Sequence, residues 1–290
     1  MKVTAIVAAA FLAANAAPTQ PQGPVGVVAA ENFYGDIAAQ VGGPGVKVTS
    51  ILSNPDQDPH LFEASPSVGR SVSQARIIIY NGIGYDPWMR RLLGAARSSR
   101  QRTIVVSDLM EKKDGDNPHI WYDPLTMLRL ARALSGALAS ADPAHKADYA
   151  RRLTQFEESL KPVMSKIASL RRRFTGISVT ATEPIFGYMF AALGMKVRDQ
   201  SFQLSVMNNT EPSPSDIANL ENDLKDRKVR LMIYNSQATD PVASRMENLA
   251  RESHVAVVGA TETEPPGVDY QQWMLRELDA VDHALSGNAR

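Results

Sequence analysis

The sequence contains no cysteine among its 290 residues. Disulfide bonds are therefore excluded, and we expect no lipid anchor, because lipid attachment to an exported protein uses a cysteine. A chain of this length can bury an adequate core without disulfide bonds. Any metal ion that it binds must be coordinated by nitrogen and oxygen atoms instead of thiolate sulfur.

An excess of charge of either sign is also missing. The chain has 31 basic and 31 acidic residues, which gives a formal net charge of +0 at pH 7. Proteins that bind nucleic acid usually carry a clear basic excess, because they must neutralise phosphates. The composition therefore argues against a nucleic-acid partner.

Long apolar runs are absent from the chain except at its N-terminus. There the segment MKVTAIVAAAFLAANAAPTQ contains one apolar run, at about residues 3–14. This run is too short to span a bilayer, which takes about 20 residues. Lys2 before it and the small residues Ala14–Ala16 after it have the layout of a secretory signal peptide. We expect residues 1–16 to be removed and the mature protein to be exported to the periplasm.

Strand-like apolar runs alternate with amphipathic helical patterns along the rest of the chain. This alternation implies parallel sheets with helices on their faces. It is interrupted by one long helical pattern, in which apolar residues recur from Tyr149 to Leu170 at spacings of four and three. Pro162 within that pattern predicts a kink. We predict an α/β fold of two parallel-sheet lobes, at residues 24–141 and 175–290, joined by one long kinked helix at 142–174.

Four loops that follow predicted strands contain side chains able to bind a metal ion. The candidates are His60 after KVTSILS, His119 after TIVVSDL and an acidic loop, Glu183 after ISVTA, and Glu262 after HVAVV. In open α/β sheets, ligands lie at the carboxyl ends of the strands. Two of these loops belong to each lobe, so the four side chains can meet in the cleft between the lobes.

The residue types alone are also compatible with ordinary structural roles. A single histidine in a loop is usually a surface residue, and a glutamate that opens a helix is accounted for by the helix dipole. Glu262 and Glu264 lie in a polar, proline-rich turn where carboxylates are common. The remaining histidines, His145, His254 and His283, lie at helix or strand ends without such partners, and we interpret them as structural or surface residues.

Four segments carry a resemblance to a known family. NPDQDPHLFEASPS, NPHIWYDP, TEPIFGYMFAALG and GATETEPPGVDYQQWM resemble the signature segments of the zinc/manganese-binding ABC-transporter substrate-binding proteins (cluster A-I). The resemblance extends in order over nearly the whole mature chain. It implies two α/β lobes joined by a rigid long helix, with one divalent metal ion in the cleft. The matching positions imply that the metal ligands are His60, His119, Glu183 and Glu262.

Two departures from the family pattern concern the ligands. Family members generally have aspartate at the last ligand position, so Glu264 remains an alternative to Glu262. Members bound to zinc often have a third histidine and a histidine-rich loop before the NPH segment, where this chain has Glu183 and EKKDGD. Two imidazoles and two carboxylates form a hard ligand set that suits Mn²⁺ or Fe²⁺ and also binds Zn²⁺ well. The set favours manganese without excluding zinc.

The resemblance implies a protein that captures Mn²⁺ or Zn²⁺ and delivers it to an ABC-transporter permease in the inner membrane. No catalysis is expected, and nothing in the sequence argues for an oligomer, so we expect a monomer without a membrane anchor. One alternative is a secreted metalloenzyme, a hydrolase that uses His60, His119 and a carboxylate, but the chain has neither an HExxH nor a GxSxG motif.

Two further alternatives involve binding without a metal. A protein that binds an organic solute would need an arginine or a helix N-terminus aimed at a carboxylate, and His60 and His119 would then have no role. A surface adhesin is disfavoured by the missing lipid-anchor cysteine.

Overall fold

The computed structural model describes residues 23–54, 62–95, 100–238 and 240–287. Within them lie two four-stranded parallel sheets, and in each the strands lie side by side in the order second, first, third, fourth along the chain. The predicted fold class, two parallel-sheet α/β lobes joined by a long helix, is confirmed. The predicted signal peptide and His60 lie outside the described residues.

The N-terminal half alternates strands with helices, as the apolar pattern predicts. Its elements are β1 (Val25–Glu31), α1 (Asn32–Gly42), β2 (Val46–Leu52), α2 (Pro66–Gln74), β3 (Ile77–Tyr80), α3 (Pro87–Ala95), β4 (Arg102–Val105), α4 (Val106–Leu109) and α5 (Thr126–Ala141). The central strand β1 pairs with β2 and β3, with Val27 opposite Val48 and Ile77. All four residues of β3 are buried, because both faces of a parallel sheet are covered by helices.

The C-terminal half repeats this arrangement. Its elements are β5 (Ser178–Ala181), α8 (Gly187–Ala192), β6 (Lys196–Val197), α9 (Gln200–Met207), α10 (Pro214–Lys225), β7 (Leu231–Asn235), α11 (Pro241–Glu252), β8 (Ala256–Ala260) and α12 (Tyr270–Gly287). Among the residues that the structure describes, no helix combines the length and the apolarity needed to cross a membrane.

The segment TIVVSDL is not a strand throughout. Strand β4 ends at Val105, and Val106–Leu109 forms the short helix α4. This turn is closed by local backbone bonds, with the Met110 amide donating to the Val106 carbonyl at 3.2 Å and the Lys112 amide to the Ser107 carbonyl at 2.9 Å. The run VVSDL is too short for its apolar spacing to separate a strand from a single helical turn.

The helix between the halves is distorted near its centre. It consists of α6 (Lys146–Ser159) and α7 (Lys161–Phe174), which are separated only by Leu160. Leu160 keeps a nearly helical backbone, with φ −78° and ψ −15°, and its amide donates to the Phe156 carbonyl at 3.3 Å. Because Pro162 has no N–H, one helical hydrogen bond is missing here, and the helix is interrupted at Leu160 but continues on both sides.

One apolar core extends through both halves. The ring of Phe33 on α1 lies 4.9 Å from the ring of Trp121 and 5.8 Å from that of Trp273 on α12. The ring of Tyr122 packs edge-on against Phe186, which follows β5, at 4.9 Å. These side chains belong to a single buried cluster. The carboxyl edges of the two sheets are therefore held beside each other by packed aromatic side chains.

A polar contact accompanies this aromatic packing. The side-chain amide of Asn32 pairs with the backbone of Glu264, donating to its carbonyl at 2.7 Å and accepting from its N–H at 3.0 Å. One turn later on α1, Asp36 Oδ2 accepts from the Tyr270 N–H at 3.0 Å, at the first residue of α12. Helix α1 of one half thus caps the last helix of the other half.

We predict that Phe33→Ala destabilises the metal-free protein by about 3–5 kcal/mol, since it removes a fully buried ring that packs against both halves. Urea unfolding followed by fluorescence measures this change. Leu204→Ala is the matched control, because Leu204 is 44% exposed, and it should change the free energy of unfolding by less than about 0.5 kcal/mol. Equal effects of both substitutions would contradict a core shared by the two halves.

Candidate metal centre

Three of the four predicted ligands converge at the carboxyl edges of the sheets. His119, Glu183 and Glu262 offer ligand atoms that lie within 4.8 Å of one another. Their side chains are buried, with exposures of 0%, 4% and 0%. The Nε2 atom of His119 lies 3.3 Å from Oε1 of Glu262. The fourth predicted ligand, His60, lies outside the described residues.

Strand ends place these side chains. Glu183 follows β5 in an extended conformation, with φ −149° and ψ 168°, and Pro184 then starts a short 3₁₀ helix. Glu262 follows β8, and both β5 and β8 pair with β7 in parallel, so the two carboxylates leave the sheet at the same edge. His119 reaches the site from the N-terminal half, directly before the 3₁₀ turn Ile120–Tyr122.

The hydrogen bonds of Asn117 define the tautomer of His119. The side-chain Oδ1 of Asn117 lies 2.6 Å from Nδ1 of His119 and accepts from the His119 backbone N–H at 3.0 Å. Its Nδ2 donates to the Pro184 carbonyl at 2.6 Å, which identifies Oδ1 as the acceptor. The proton of neutral His119 therefore belongs on Nδ1, and the lone pair of Nε2 points into the site, as metal coordination requires.

The two carboxylates share one amide donor. Asn235, the last residue of β7, donates from Nδ2 to Glu262 Oε1 at 2.8 Å and also to Glu183 Oε1. The hydroxyl of Tyr85 donates to Glu262 Oε2 at 3.0 Å. These donors are neutral, and two buried carboxylates at this separation repel each other. A divalent cation between them and His119 would offset that repulsion.

The chain after β7 also supports the backbone of Glu262. The Oε1 atom of Gln237 accepts from the backbone N–H groups of Glu262 at 2.6 Å and Thr263 at 3.0 Å. The Gln237 N–H in turn donates to Oδ1 of Asn235 at 2.9 Å. Neither Asn235 nor Gln237 was predicted from the sequence. The signal was present, because Asn235 ends a buried strand and Gln237 follows it, at the edge where the predicted ligands lie.

Tyr85 reaches Glu262 from a tight turn after β3. The turn contains Gly82, Ile83 and Gly84 with φ values of 85°, 43° and 81°. A Cβ at Gly82 would lie 2.3 Å from Oγ of Ser107, so this position requires glycine. The turn is fixed by the carboxylate of Asp86, which accepts from the backbone N–H groups of Asn81 at 2.6 Å and Gly82 at 2.9 Å.

A second buried carboxyl lies beside Asp86. Glu31 at the end of β1 is fully buried, and burial, followed by the charge of Asp86, raises its pKa well above the usual value. Burial also raises the pKa of Asp86 to about 6, while its backbone hydrogen bonds act in the opposite direction. The backbone hydrogen bonds of Asp86 favour its charged form, so a proton shared by the pair is held by Glu31 in preference to Asp86.

Glu264, the alternative ligand, lies outside the three-residue cluster. Its backbone pairs with Asn32 on α1, and its side chain is only 8% exposed. Burial, with smaller contributions from Asp36 and Asp269, raises the pKa of Glu264 to about 9. Glu264 is therefore protonated at pH 7, in a different environment from Glu262.

A further buried carboxyl, Glu277 on α12, holds the start of the Glu262 loop. Its Oε1 atom accepts from Nε1 of Trp273 at 2.8 Å and from the hydroxyl of Tyr122 at 2.9 Å. The Thr261 N–H donates to the same oxygen at 3.3 Å. Burial raises the pKa of Glu277 to about 7, and these donors oppose the rise. Glu277 thus connects α12 with the residue that precedes Glu262.

Residues 27–284 match the sequence profile of a family described as zinc-uptake complex component A, periplasmic. The match covers most of the chain and runs from within β1 to within α12. The chain belongs to the zinc-uptake component A family. Members of this family are the metal-binding substrate-binding proteins of ABC transporters, which agrees with the resemblance found in the sequence.

Relatives of this chain align with it over nearly their full length. The manganese ABC transporter substrate-binding lipoprotein PsaA of Streptococcus anginosus is 24% identical over 281 residues, which cover 90% of this chain and 89% of that protein. The periplasmic zinc-binding protein TroA of Treponema pallidum aligns in structure with a TM-score of 0.76 and 19% identity, covering 91% of this chain and 99% of that one.

A manganese-bound S38A mutant of a periplasmic metal-binding protein from Candidatus Liberibacter asiaticus aligns with a TM-score of 0.72 and 18% identity. The alignment covers 90% of this chain and 99% of that chain. At this identity, the structural likeness establishes the fold.

We predict that Glu277→Gln changes how stability depends on pH. Because burial raises the pKa of Glu277 from 4.5 to about 7, the folded protein holds this proton more tightly than the unfolded chain does. The stabilisation is fully present below about pH 4.5 and is lost as the pH rises through about 7. Between these values, the stability of the wild type should fall relative to that of Glu277→Gln, with a slope approaching ~1.4 kcal/mol per pH unit.

Urea unfolding of the metal-free proteins between about pH 5 and pH 8 measures this difference. Glu252→Gln, at an exposed position on α11, is the control and should follow the wild-type curve. Parallel curves for the wild type and Glu277→Gln would contradict a buried carboxyl that titrates near neutral pH.

Proposed function

We propose that this protein captures one divalent transition-metal ion, Mn²⁺ or Zn²⁺, in the periplasm and delivers it to an ABC-transporter permease in the inner membrane. The ion is held by His119, Glu183, Glu262 and His60. The observation that carries the proposal is the convergence of one imidazole and two carboxylates, all buried, within 4.8 Å. Glu262 takes the fourth ligand position in preference to Glu264.

The donor set fits such an ion. Two carboxylates cancel the charge of a divalent cation, and His119 already presents the lone pair of Nε2. Nitrogen and hard oxygen ligands suit Mn²⁺ and Fe²⁺, and Zn²⁺ lies above both in intrinsic affinity for such a site. Manganese and zinc are the metals named for the relatives PsaA and TroA, and we therefore propose one of these two as the cargo.

Burial of the ligands supports capture over catalysis. A catalytic zinc ion keeps a position open for water and substrate. Here the three described ligand side chains are at most 4% exposed. A hydrolase would instead have to bring a substrate into contact with this enclosed ion. The named function of the matched relatives is likewise binding.

We also propose that the mature protein is released into the periplasm as a monomer. The PsaA relative is a lipoprotein by name. This sequence has no cysteine to which a lipid could be attached in the same way.

We predict that the metal-free protein without residues 1–16 binds one Mn²⁺ or Zn²⁺ ion per chain. Competitive calorimetry with both metals measures the affinities, and their ratio identifies the preferred cargo. Glu262→Gln should weaken binding of either metal by at least about 10–100-fold, the range for loss of even an outer-shell partner, because it removes a direct ligand. His60→Ala and His119→Ala should have effects at least as large.

Glu264→Gln is the matched control, because it makes the same chemical change two residues away, outside the cluster. It should leave both affinities within about twofold of the wild type. Loss of binding in Glu264→Gln with retention in Glu262→Gln would reverse the ligand assignment. Equal binding by the wild type and all the ligand variants would overturn the proposed site.

An activity assay tests the metalloenzyme alternative. Hydrolysis of ester, peptide or phosphate substrates by the metal-loaded protein would favour that alternative if Glu262→Gln abolished it.

A further inference from the structure

Asn117 connects a ligand of one half with the ligand loop of the other. On one side, its Oδ1 accepts from the backbone N–H of His119 at 3.0 Å and contacts Nδ1 at 2.6 Å. On the other side, its Nδ2 donates to the carbonyl of Pro184 at 2.6 Å, directly after Glu183. A single side-chain amide therefore contacts His119 of the N-terminal half and the Glu183 loop of the C-terminal half.

Two neighbouring contacts fix this connection. The hydroxyl of Tyr188, on α8, donates to the backbone carbonyl of Asn117 at 2.8 Å. The ammonium group of Lys112 lies 4.4 Å from the centre of the Tyr188 ring. At Gly187, a Cβ would lie 2.9 Å from Nδ2 of Asn117, which is close enough to displace the amide.

We propose that Asn117 is a positioning residue that couples the orientation of the His119 imidazole to the docking of the Glu183 loop. The two bonds use the two ends of one planar amide, so rotation of that amide breaks both together. The proposal rests on the proposed function and adds the route by which ligands on separate halves act as one site.

Metal binding strengthens this connection. A cation on Nε2 withdraws electron density from the imidazole and makes Nδ1–H a stronger donor to Asn117. Hydrogen bonds in a chain polarise one another, so the bond from Asn117 Nδ2 to the Pro184 carbonyl strengthens as well. Loading the site therefore tightens the contact between the halves, and loss of that contact should speed metal release.

Three substitutions distinguish the contact of Asn117 Oδ1 with His119 from the contact of Nδ2 with the Pro184 carbonyl. Asn117→Asp keeps an acceptor for His119 but places a second oxygen against the Pro184 carbonyl, whereas Asn117→Ala removes both contacts. Gly187→Ala displaces the amide without altering it. Asn248→Asp, at an exposed position on α11, adds the same charge elsewhere and serves as the control.

Metal dissociation is measured by transfer of Zn²⁺ and Mn²⁺ from the loaded protein to an excess of chelator. We expect Asn117→Asp and Gly187→Ala to raise the dissociation rate by about tenfold or more, as for other outer-shell partners of metal ligands, and Asn248→Asp to match the wild type. Nitrogen-15 NMR of the metal-free protein determines which ring nitrogen of His119 carries the proton. The Nδ1–H tautomer should persist in Asn117→Asp, which keeps the acceptor, and give way to a mixture in Asn117→Ala.

Unchanged dissociation rates in Asn117→Asp and Gly187→Ala, with wild-type metal binding, would overturn the coupling while leaving the proposed function intact. A wild-type tautomer in Asn117→Ala would overturn the positioning role. Failure of the wild-type protein to bind either metal would instead reject the proposed function, and the NMR result would still report on Asn117. If Asn117→Ala does not fold, Asn117→Asp and Gly187→Ala still decide the outcome.

Discussion

Two buried carboxylates placed side by side set the main physical constraint on this structure. Glu183 and Glu262 repel each other, and their desolvation is costly, yet both place their oxygens in one small volume. The amide of Asn235 and the hydroxyl of Tyr85 satisfy part of their hydrogen-bonding capacity without neutralising their charge. The arrangement is unfavourable in isolation, and a divalent cation between the carboxylates would offset their repulsion.

Three levels of structure maintain this geometry. Parallel pairing of β5 and β8 with β7 brings the carboxylates to one edge. The aromatic core that contains Phe33 and Trp273 holds the N-terminal half against that edge, so His119 can reach it. Local hydrogen bonds then orient each group, and these bonds come mostly from loops that follow strands. The core therefore places the site, and the loops orient its individual groups.

Much of the fold could be predicted from periodicity, and the exceptions are short. The second half of TIVVSDL forms α4, and the two-residue strand β6 and the helix α9 were not predicted, because so few residues give no clear period. For the site, the rule that strands present ligands at their carboxyl ends located His119, Glu183 and Glu262. The same rule applied to YNSQ would have indicated Asn235.

The sequence by itself determined the two α/β halves, the long helix with its interruption beside Pro162 and the chemical types of the candidate ligands, because each of these depends on local pattern and residue identity. Only the tertiary structure decided which glutamate joins the cluster and how His119 is oriented. Glu262 and Glu264 are two residues apart in the same turn, and their difference arises from contacts with Asn235 and Asn32, which are distant in sequence. Hydrogen bonds between remote residues leave no periodic trace in the chain, since they depend on how the two halves pack together.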